Sequence, residues 1–404
     1  MIPGTPPDRG ARVGPADDDG AAPVVARPAA RPRGVNGMGQ VTLFLCGDVM
    51  PGRGVDQILP HPGDPRLRER GVHDARRYVA EAESVNGPID RPVGYSWPWG
   101  SALREIAAVS PDARLINLEC AVTRCGEFAA GKGVHYRMNP DNIGVLSAGG
   151  PDVCALANNH LLDFGRRGLT DTLDELTAAG LGWAGAGRDA AEARRPAIVP
   201  ISGGGRVVVV SAGAETSGIP ASWAATPERP GVNRLPDLTE ATADVLAERA
   251  RAVTLPGDVV VVSIHWGPNW GYRVSGEESA FAHRLVDGGI DVVHGHSSHH
   301  PRPIEVYRNR LVLYGCGDFI DDYEGIAGYE SYRDDLRLLY FATIDAATGE
   351  LAELRMAPMR ARRMRLRPAS HEDARWLRST LSRVSRPFGT RVELRPDGVL
   401  VAGW

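Results

Sequence analysis

The sequence predicts an α/β fold, on three observations. Six apolar runs, at 41–46, 113–118, 152–156, 206–211, 258–264 and 290–293, are nearly continuous rather than alternating, the pattern of strands buried on both faces. Segments with helical character, near 101–109, 167–179, 239–252 and 279–287, are interspersed among them. Most of the runs break into Gly, Asp, Asn or His, residues that suit the strand ends where open α/β sheets bind ligands.

Composition removes several function classes. At 404 residues the chain has room for one large domain or two smaller ones. Its hydrophobic content is 43% and its charged content 24%, values of a soluble globular protein. The formal net charge is −4 and no basic run interleaves with aromatics, so nucleic acid is not an expected partner. Among 46 Lys and Arg, Lys132 is the single lysine. The chain has no GK[ST] for a P-loop, and Schiff-base chemistry is disfavoured. An odd count of 5 Cys without a CxxC pair argues against a disulfide scaffold or zinc ribbon. No apolar stretch of about 20 residues spans a membrane, and no apolar h-region marks a secretory signal. A cytoplasmic protein is expected.

Residues 1–38 are rich in Pro, Gly, Ala and Arg and are expected to be a disordered tail, with Met38 a candidate start. The first strand, 41–46, breaks into Gly47-Asp48-Val49-Met50-Pro51-Gly52-Arg53-Gly54, whose glycines let backbone approach a ligand. An insertion at 57–94 carries His61 and His73, and Trp97 and Trp99 then read as a packing plug ahead of a helix. The second strand ends in Asn117-Leu118-Glu119. The segment 131–137, with Lys132, His135 and Arg137, offers cations to an anionic substrate. The third strand runs into Asn158-Asn159-His160, and 258–264 into His265-Trp266. The run 290–293 ends in His294, His296, His299 and His300. Strands follow at 302–307, 311–314, 336–344 and 351–356, then a helix at 371–381 and a hairpin around Pro396-Asp397-Gly398.

Five strands thus end in Asp48, Glu119, Asn159 with His160, His265, and His296 with His299. In one parallel sheet these ends share an edge, and the mixed N and O donors suit Mn, Fe, Zn or a dinuclear pair. Asp48, His160, His265 and His296 are the candidate catalytic groups. Arg53, Lys132, His135, Arg137 and Trp266 are the candidate substrate contacts.

Six segments, GDVMPGR (47–53), NLE (117–119), ANNHLLDFG (157–165), SIHWG (263–267), GHSSHHPRPIE (295–305) and YGCGDFI (314–320), give the chain a resemblance to the CapA family of poly-γ-glutamate synthesis proteins, within the calcineurin-like metallophosphatases. The resemblance runs over about 41–345. It implies a four-layer α-β-β-α sandwich at 39–360, with 361–404 packed on the same domain as a helix and hairpin. It places Asp48, Glu119, Asn159, His265, His296 and His299 as metal ligands, His160 as general acid, and Arg53 as an anion-binding residue. His294 is expected to orient a ligand and His300 to be a surface or packing histidine. Met50 stands where that superfamily has the His of Asp-x-His, Glu119 where Asp is usual, and Gly-His-x-x-His is one residue longer than Gly-His-x-His. A divalent ion is the expected cofactor; the thinned ligand set leaves one ion, or none, as alternatives.

Three functions compete. The first is a metal-dependent hydrolase or transferase on a glutamyl polymer or peptide-like substrate. The second is a metal-independent peptide epimerase of ribosomal peptide products such as lasso peptides, removing and returning a Cα proton with Asp48 and a histidine. The third is a non-catalytic binding protein on the same fold.

Overall fold

The computed structural model describes residues 39–202 and 204–404, and the expected tail lies outside them. In chain order the main strands begin with β1 Gln40–Val49, β2 Ala113–Leu118, β3 Val153–Ala155, β4 Gly182–Ala184, β5 Ala197–Pro200 and β6 Arg206–Gly213. They continue with β7 Val259–His265, β8 Val292–His296, β9 Ile304–Tyr307, β10 Arg310–Leu313 and β11 Asp318–Ile320. The last are β12 Leu336–Asp345, β13 Leu351–Ala361, β14 Leu366–Pro368, β15 Arg391–Leu394 and β16 Leu400–Gly403. The main helices are α1 Arg76–Asn86, α2 Ala102–Val109, α3 Gly165–Ala178, α4 Glu240–Arg251, α5 Gly276–Asp287 and α6 His371–Ser385.

Two sheets form. One has the order β15-β16-β13-β12-β1-β2-β3-β4, with β11 also on β1 and β14 on β13. The other has the order β5-β6-β7-β8-β10-β9. Side-chain alternation explains how they pack. In β1, Leu43 and Leu45 face the second sheet, in one apolar cluster with Val207, Val209, Val259 and Val261. Phe44 and Cys46 point the other way, into a cluster with Ile106 of α2 and Leu169 and Leu173 of α3. In β7, Val260, Val262 and Ile264 turn outward onto Leu246 of α4 and Phe281 of α5. Each central strand is therefore buried on both faces, which is why its sequence does not alternate. The layers run α-β-β-α, as expected.

One expectation changes. The five site-bearing strands do not lie in one parallel sheet. β1, β2 and β3 belong to the first sheet and β7 and β8 to the second, and their C-terminal ends meet at the seam between the two. The insertion at 57–94 also folds more than its composition indicated: it holds the hairpin Arg66–Glu69 with Val72–Asp74, and α1, which buries Tyr78, Val79 and Ala82 on one face. The helix expected from 279 starts at Gly276, because Ser275 and Glu278 form a capping box. Trp99 is the expected plug: fully buried, it meets Phe319 edge-on at 5.7 Å and donates to the Val145 carbonyl at 2.7 Å. The C-terminal segment returns to the domain, with Leu377 and Leu381 of α6 in the inter-sheet cluster and β16 on β13.

Gly47 fixes the spacing of β1 and β11. A Cβ there would lie 1.6 Å from the Gly317 carbonyl oxygen, which also accepts from the Asp48 N–H at 3.0 Å. Gly47→Ala is expected to cost on the order of 3 kcal/mol or more, read as a drop in melting temperature. Gly94→Ala, with nothing within 4 Å of its Cβ, should stay within about 0.5 kcal/mol of the parent.

Candidate active site

The two sheets are tied at the seam by imidazoles. His294 Nε2 lies 2.8 Å from the Cys46 carbonyl of β1. A carbonyl only accepts, so that nitrogen carries the proton and Nδ1 accepts from the Ser263 hydroxyl at 3.1 Å. The Ser263 oxygen then accepts from His296 Nε2 at 3.0 Å. This assigns His296 Nδ1 as a lone pair, aimed at His265 Nδ1 2.8 Å away. His265 Nε2 faces Asn159 Oδ1 at 2.8 Å, which in that amide orientation leaves its Nδ1 as a second lone pair, with Asn117 Nδ2 3.5 Å away. Burial drives His294 down to about 4 and holds His265 and His296 well below the ordinary imidazole value, so all three rings are neutral. His296 and His299 are separated by a turn in which Ser297 takes φ 107, a conformation L residues rarely adopt.

Carboxylates close the other side. Asp48 accepts from Asn117 Nδ2 at 2.8 Å through Oδ1, while its buried Oδ2 has no hydrogen-bond partner. Asn117 Nδ2 also reaches Glu119 Oε2 at 3.2 Å. Asp318 is the Cα partner of Asp48 across β1 and β11. Its Oδ1 meets His299 Nδ1 at 2.9 Å and its Oδ2 is likewise buried without a partner. Burial, then the Asp318 charge, pushes Asp48 up to about 7. Burial and Asp48 push Glu119 up as well. Burial opposes the charged form of His299, but Asp318 lifts that ring above its ordinary value. Ligand atoms of Asp48, His265 and His296 lie within 4.8 Å of one another, and so do those of Asp48, His299 and Asp318. The donors present, two lone-pair nitrogens and two unpartnered carboxylate oxygens, fit a divalent cation.

His160 stands beside this cluster, its Nε2 3.8 Å from Glu119 Oε1. Its Nδ1 is 2.6 Å from Asp163 Oδ2, and its backbone N–H donates to Asn158 Oδ1 at 3.1 Å. Lys132 Nζ donates to Asp163 Oδ1 at 2.5 Å and to the Asn159 carbonyl. Burial, opposed by Asp163 and aided by Lys132, takes His160 down to about 4. The ring is neutral at pH 7, with Nδ1–H on Asp163 and a lone pair on Nε2. Asp163 stays low because His160 and Lys132 outweigh its burial.

The structure brings together Asp48, Glu119, Asn159, His160, His265, His296 and His299. Four expected substrate contacts lie elsewhere. Arg53 is buried in ion pairs, to Asp322 at 2.8 and 2.5 Å and to Glu69 at 3.1 Å, with no N–H edge turned to a ligand. Trp266, just past the end of β7, is fully buried in the outer apolar cluster, donates to the Tyr314 carbonyl at 3.0 Å and packs on Phe281. His135 is buried between Phe128 and Phe164 and bonds the Ala129 carbonyl at 3.0 Å. Arg137 lies over the Phe164 ring, at 4.4 Å. Lys132 is at the site, yet its ammonium serves Asp163. His300 packs, as expected, against Trp270, Tyr272 and Tyr332.

Sequence reasoning missed Asn117, Asp163, Ser263 and Asp318. A signal existed for Asp318: Cys46-Gly47-Asp48 and Cys316-Gly317-Asp318 are the same tripeptide at two strand boundaries. Asp163 was signalled by its place three residues after His160 in the same polar motif.

Residues 42–323 match the family described as bacterial capsule synthesis protein PGA_cap. A probable polyglutamine synthesis accessory protein of Mycobacterium tuberculosis is 56% identical over 361 residues, covering 89% of this chain and 95% of that protein. The PGA biosynthesis protein CapA of Bacillus subtilis is 27% identical over 73% of this chain and 66% of its own length. The capsule biosynthesis protein CapA of Bacillus anthracis is 25% identical over 70% of this chain and 60% of its own length. No helix among the described residues is long and apolar enough to cross a membrane.

Arg53 tests the reassignment from ligand contact to buried ion pair. Arg53→Ala leaves Asp322 and Glu69 buried without their partner and is expected to cost about 3–5 kcal/mol, measured by urea unfolding. An anion-binding Arg53 would instead leave stability within about 1 kcal/mol of the parent.

Proposed function

The chain belongs to the bacterial capsule synthesis protein PGA_cap family, and on that premise we propose that it is a metal-dependent hydrolase or transferase acting on a glutamyl polymer or peptide-like chain. One observation carries the reading. His265 Nδ1 and His296 Nδ1 face each other as lone pairs at 2.8 Å, beside the unpartnered Oδ2 of Asp48. Two nitrogen lone pairs at that distance repel, and a cation bound beside both relieves the repulsion. The names of the relatives, a polyglutamine synthesis accessory protein and a PGA biosynthesis protein, support the polymer class.

Asp48, His265 and His296 would hold the ion, with Glu119 and Asn159 beside them. His299 and Asp318 offer a further position that shares Asp48. A divalent ion at such a site lowers the pKa of a bound water and polarises the oxygen of a carbonyl or phosphoryl group. His160 does the proton work. Its Nε2 lone pair takes a proton from the attacking hydroxyl, Asp163 steadies the imidazolium through Nδ1, and the proton then passes to the leaving group. His160 thus accepts a proton before it acts as an acid. Asn117 holds Asp48 and Glu119 in place. Met50 is turned into the core, where its sulfur accepts from Tyr323 at 3.7 Å, and Asp318 supplies a donor that Met50 cannot.

A second reading keeps one observation of its own. His160 with Asp163 and His299 with Asp318 are two imidazole–carboxylate dyads bordering one cluster, an arrangement that removes a Cα proton and returns it from another side. Peptide incubated in D2O with the metal-free protein distinguishes the two: deuterium gained at Cα without cleavage favours epimerisation.

Purified protein is expected to retain Mn, Fe or Zn, and His265→Ala to lose it, by elemental analysis. Equal metal content in both proteins, or none in either, overturns the reading. Retention should also depend on pH. Asp48 must be ionised to bind a cation, so affinity is expected to fall as pH drops through about 7. The metal-free protein should behave in the opposite sense. The folded-state value of Asp48 is raised above its ordinary 3.8, so its contribution to stability is complete below that value and is lost as pH rises through about 7. Melting curves between those limits, with and without the ion, check both signs.

A further inference from the structure

Away from the seam, the hairpin at 66–74 and the turn at 124–128 enclose a cavity of about 590 Å³ that the proposed chemistry does not use. Four guanidinium groups line it, those of Arg66, Arg68, Arg124 and Arg137, against the carboxylates of Asp64 and Glu127. Two of the four are occupied. Arg66 is held by Asp64 at 2.9 and 2.6 Å, and Arg124 by Asp141. The other two are held less closely. Arg68 has no carboxylate in salt-bridge contact among the described residues, and Arg137 Nη2 meets Asp64 only at 3.5 Å, both at the Oδ2 that Arg66 holds and at the backbone carbonyl.

Both of these guanidinium groups lie over aromatic rings. Arg68 lies over Phe128 at 4.7 Å, Arg137 over the same ring at 5.9 Å and over Phe164 at 4.4 Å. A ring under a guanidinium covers its face, and the N–H groups not already given to Asp64 remain for an acceptor, the fork that carboxylates fill in bidentate fashion. Burial pushes Arg137 down from its ordinary value, so an anion at that edge meets a cation only partly compensated by its surroundings.

The cavity adjoins the site through one loop. Phe164, under Arg137, directly follows Asp163, the carboxylate on His160. Ala129, next to Phe128, donates its N–H to the Asp163 carbonyl at 2.8 Å, and the Tyr136 N–H donates to Asp163 Oδ2 at 2.7 Å. Residues 128–137 therefore have the cavity on one side and the His160–Asp163 dyad on the other.

We propose that this arginine-lined cavity is a subsite for a carboxylate-bearing chain, in which Arg68 and Arg137 grip side-chain carboxylates of the polymer distant from the reacting unit. The proposal rests on the glutamyl-polymer reading for its ligand and needs no metal. Its probe is a fluorescein-labelled γ-linked glutamate oligomer, titrated with the full-length protein and followed by anisotropy, with the uncharged glutamine oligomer as control.

The glutamate oligomer is expected to bind, more weakly as salt rises, and the glutamine oligomer to bind little. Arg68→Glu should weaken binding about tenfold or more, the loss of one charge-assisted contact, with an unchanged melting temperature because Arg68 is exposed. Arg137→Gln should weaken it as well, and Arg391→Glu, on the exposed terminal strand β15, should not. Chelator should leave the affinity unchanged. Binding that survives EDTA but not Arg68→Glu supports the subsite even if the metal reading fails. Binding indifferent to Arg68→Glu, equal binding of the glutamine oligomer, or displacement by inorganic polyphosphate at lower concentration than by free glutamate oligomer overturns it.

Discussion

Everything at the seam answers one constraint: three carboxylates, Asp48, Glu119 and Asp318, are held out of water around a single point. Asp48 and Asp318 sit opposite each other on paired parallel strands, so the backbone itself forces their charges together. Neutral donors cannot balance two buried anions, and Asn117 supplies one N–H to each of Asp48 and Glu119. His299 answers Asp318, and Arg337 answers Asp321 behind it. What remains uncompensated is one oxygen each on Asp48 and Asp318. A buried anion in that condition takes up a proton or a cation. The raised Asp48 shows the first outcome, and the lone pairs on His265 and His296 prepare for the second.

The imidazoles obey the complementary rule. A chain of hydrogen bonds from the Cys46 carbonyl through His294, Ser263 and His296 fixes each tautomer in turn, and its first link also joins the two sheets. The order of sheet packing and the direction of the lone pairs are therefore set by the same contacts. His294 touches no carboxylate of the cluster, yet it determines which nitrogen of His296 is free, as a hydrogen-bonded outer partner does for a ligating imidazole.

Much of this was legible in the sequence, and the reasons for the rest are specific. Strand positions were readable because strands buried on both faces leave continuous apolar runs, and β1, β2, β7 and β8 all fall where those runs do. The residues at the run ends were readable because polar groups there have few structural reasons to exist. The division of the strands between two sheets was not, since 206–211 and 41–46 have the same apolar character. Arg53 and Trp266 were misread for a related reason. Adjacency to a motif places a backbone near the site, but side chains alternate, and Trp266 turns away from the face that His265 uses. The partners of Arg53 are 16 and 269 residues away, and no local pattern announces such a pairing. Asp318 was overlooked although its tripeptide repeats that of Asp48, because a lone Asp after Gly is common in turns.

Met50, two residues beyond Asp48, offers no oxygen or nitrogen ligand, and the donor beside Asp48 comes instead from the adjacent strand β11 as Asp318. The two positions that share Asp48 then differ in character. One is completed by His265 and His296 and is nitrogen-rich; the other is completed by His299 and Asp318 and is oxygen-rich. Imidazole-rich sites suit Zn and Fe, and carboxylate-rich ones Mn and Mg. The pair also differs in charge: a second carboxylate at the oxygen-rich position increases its hold on a cation while leaving less positive charge for an incoming anionic substrate. On a glutamyl polymer, whose own carboxylates would be repelled by that residual negative charge, cations placed farther out gain importance. Lys132 is committed to Asp163 and Arg53 to Asp322, so neither can meet that need; among the groups flanking the His160 loop, Arg68 carries no carboxylate partner among the described residues and Arg137 holds Asp64 only at 3.5 Å.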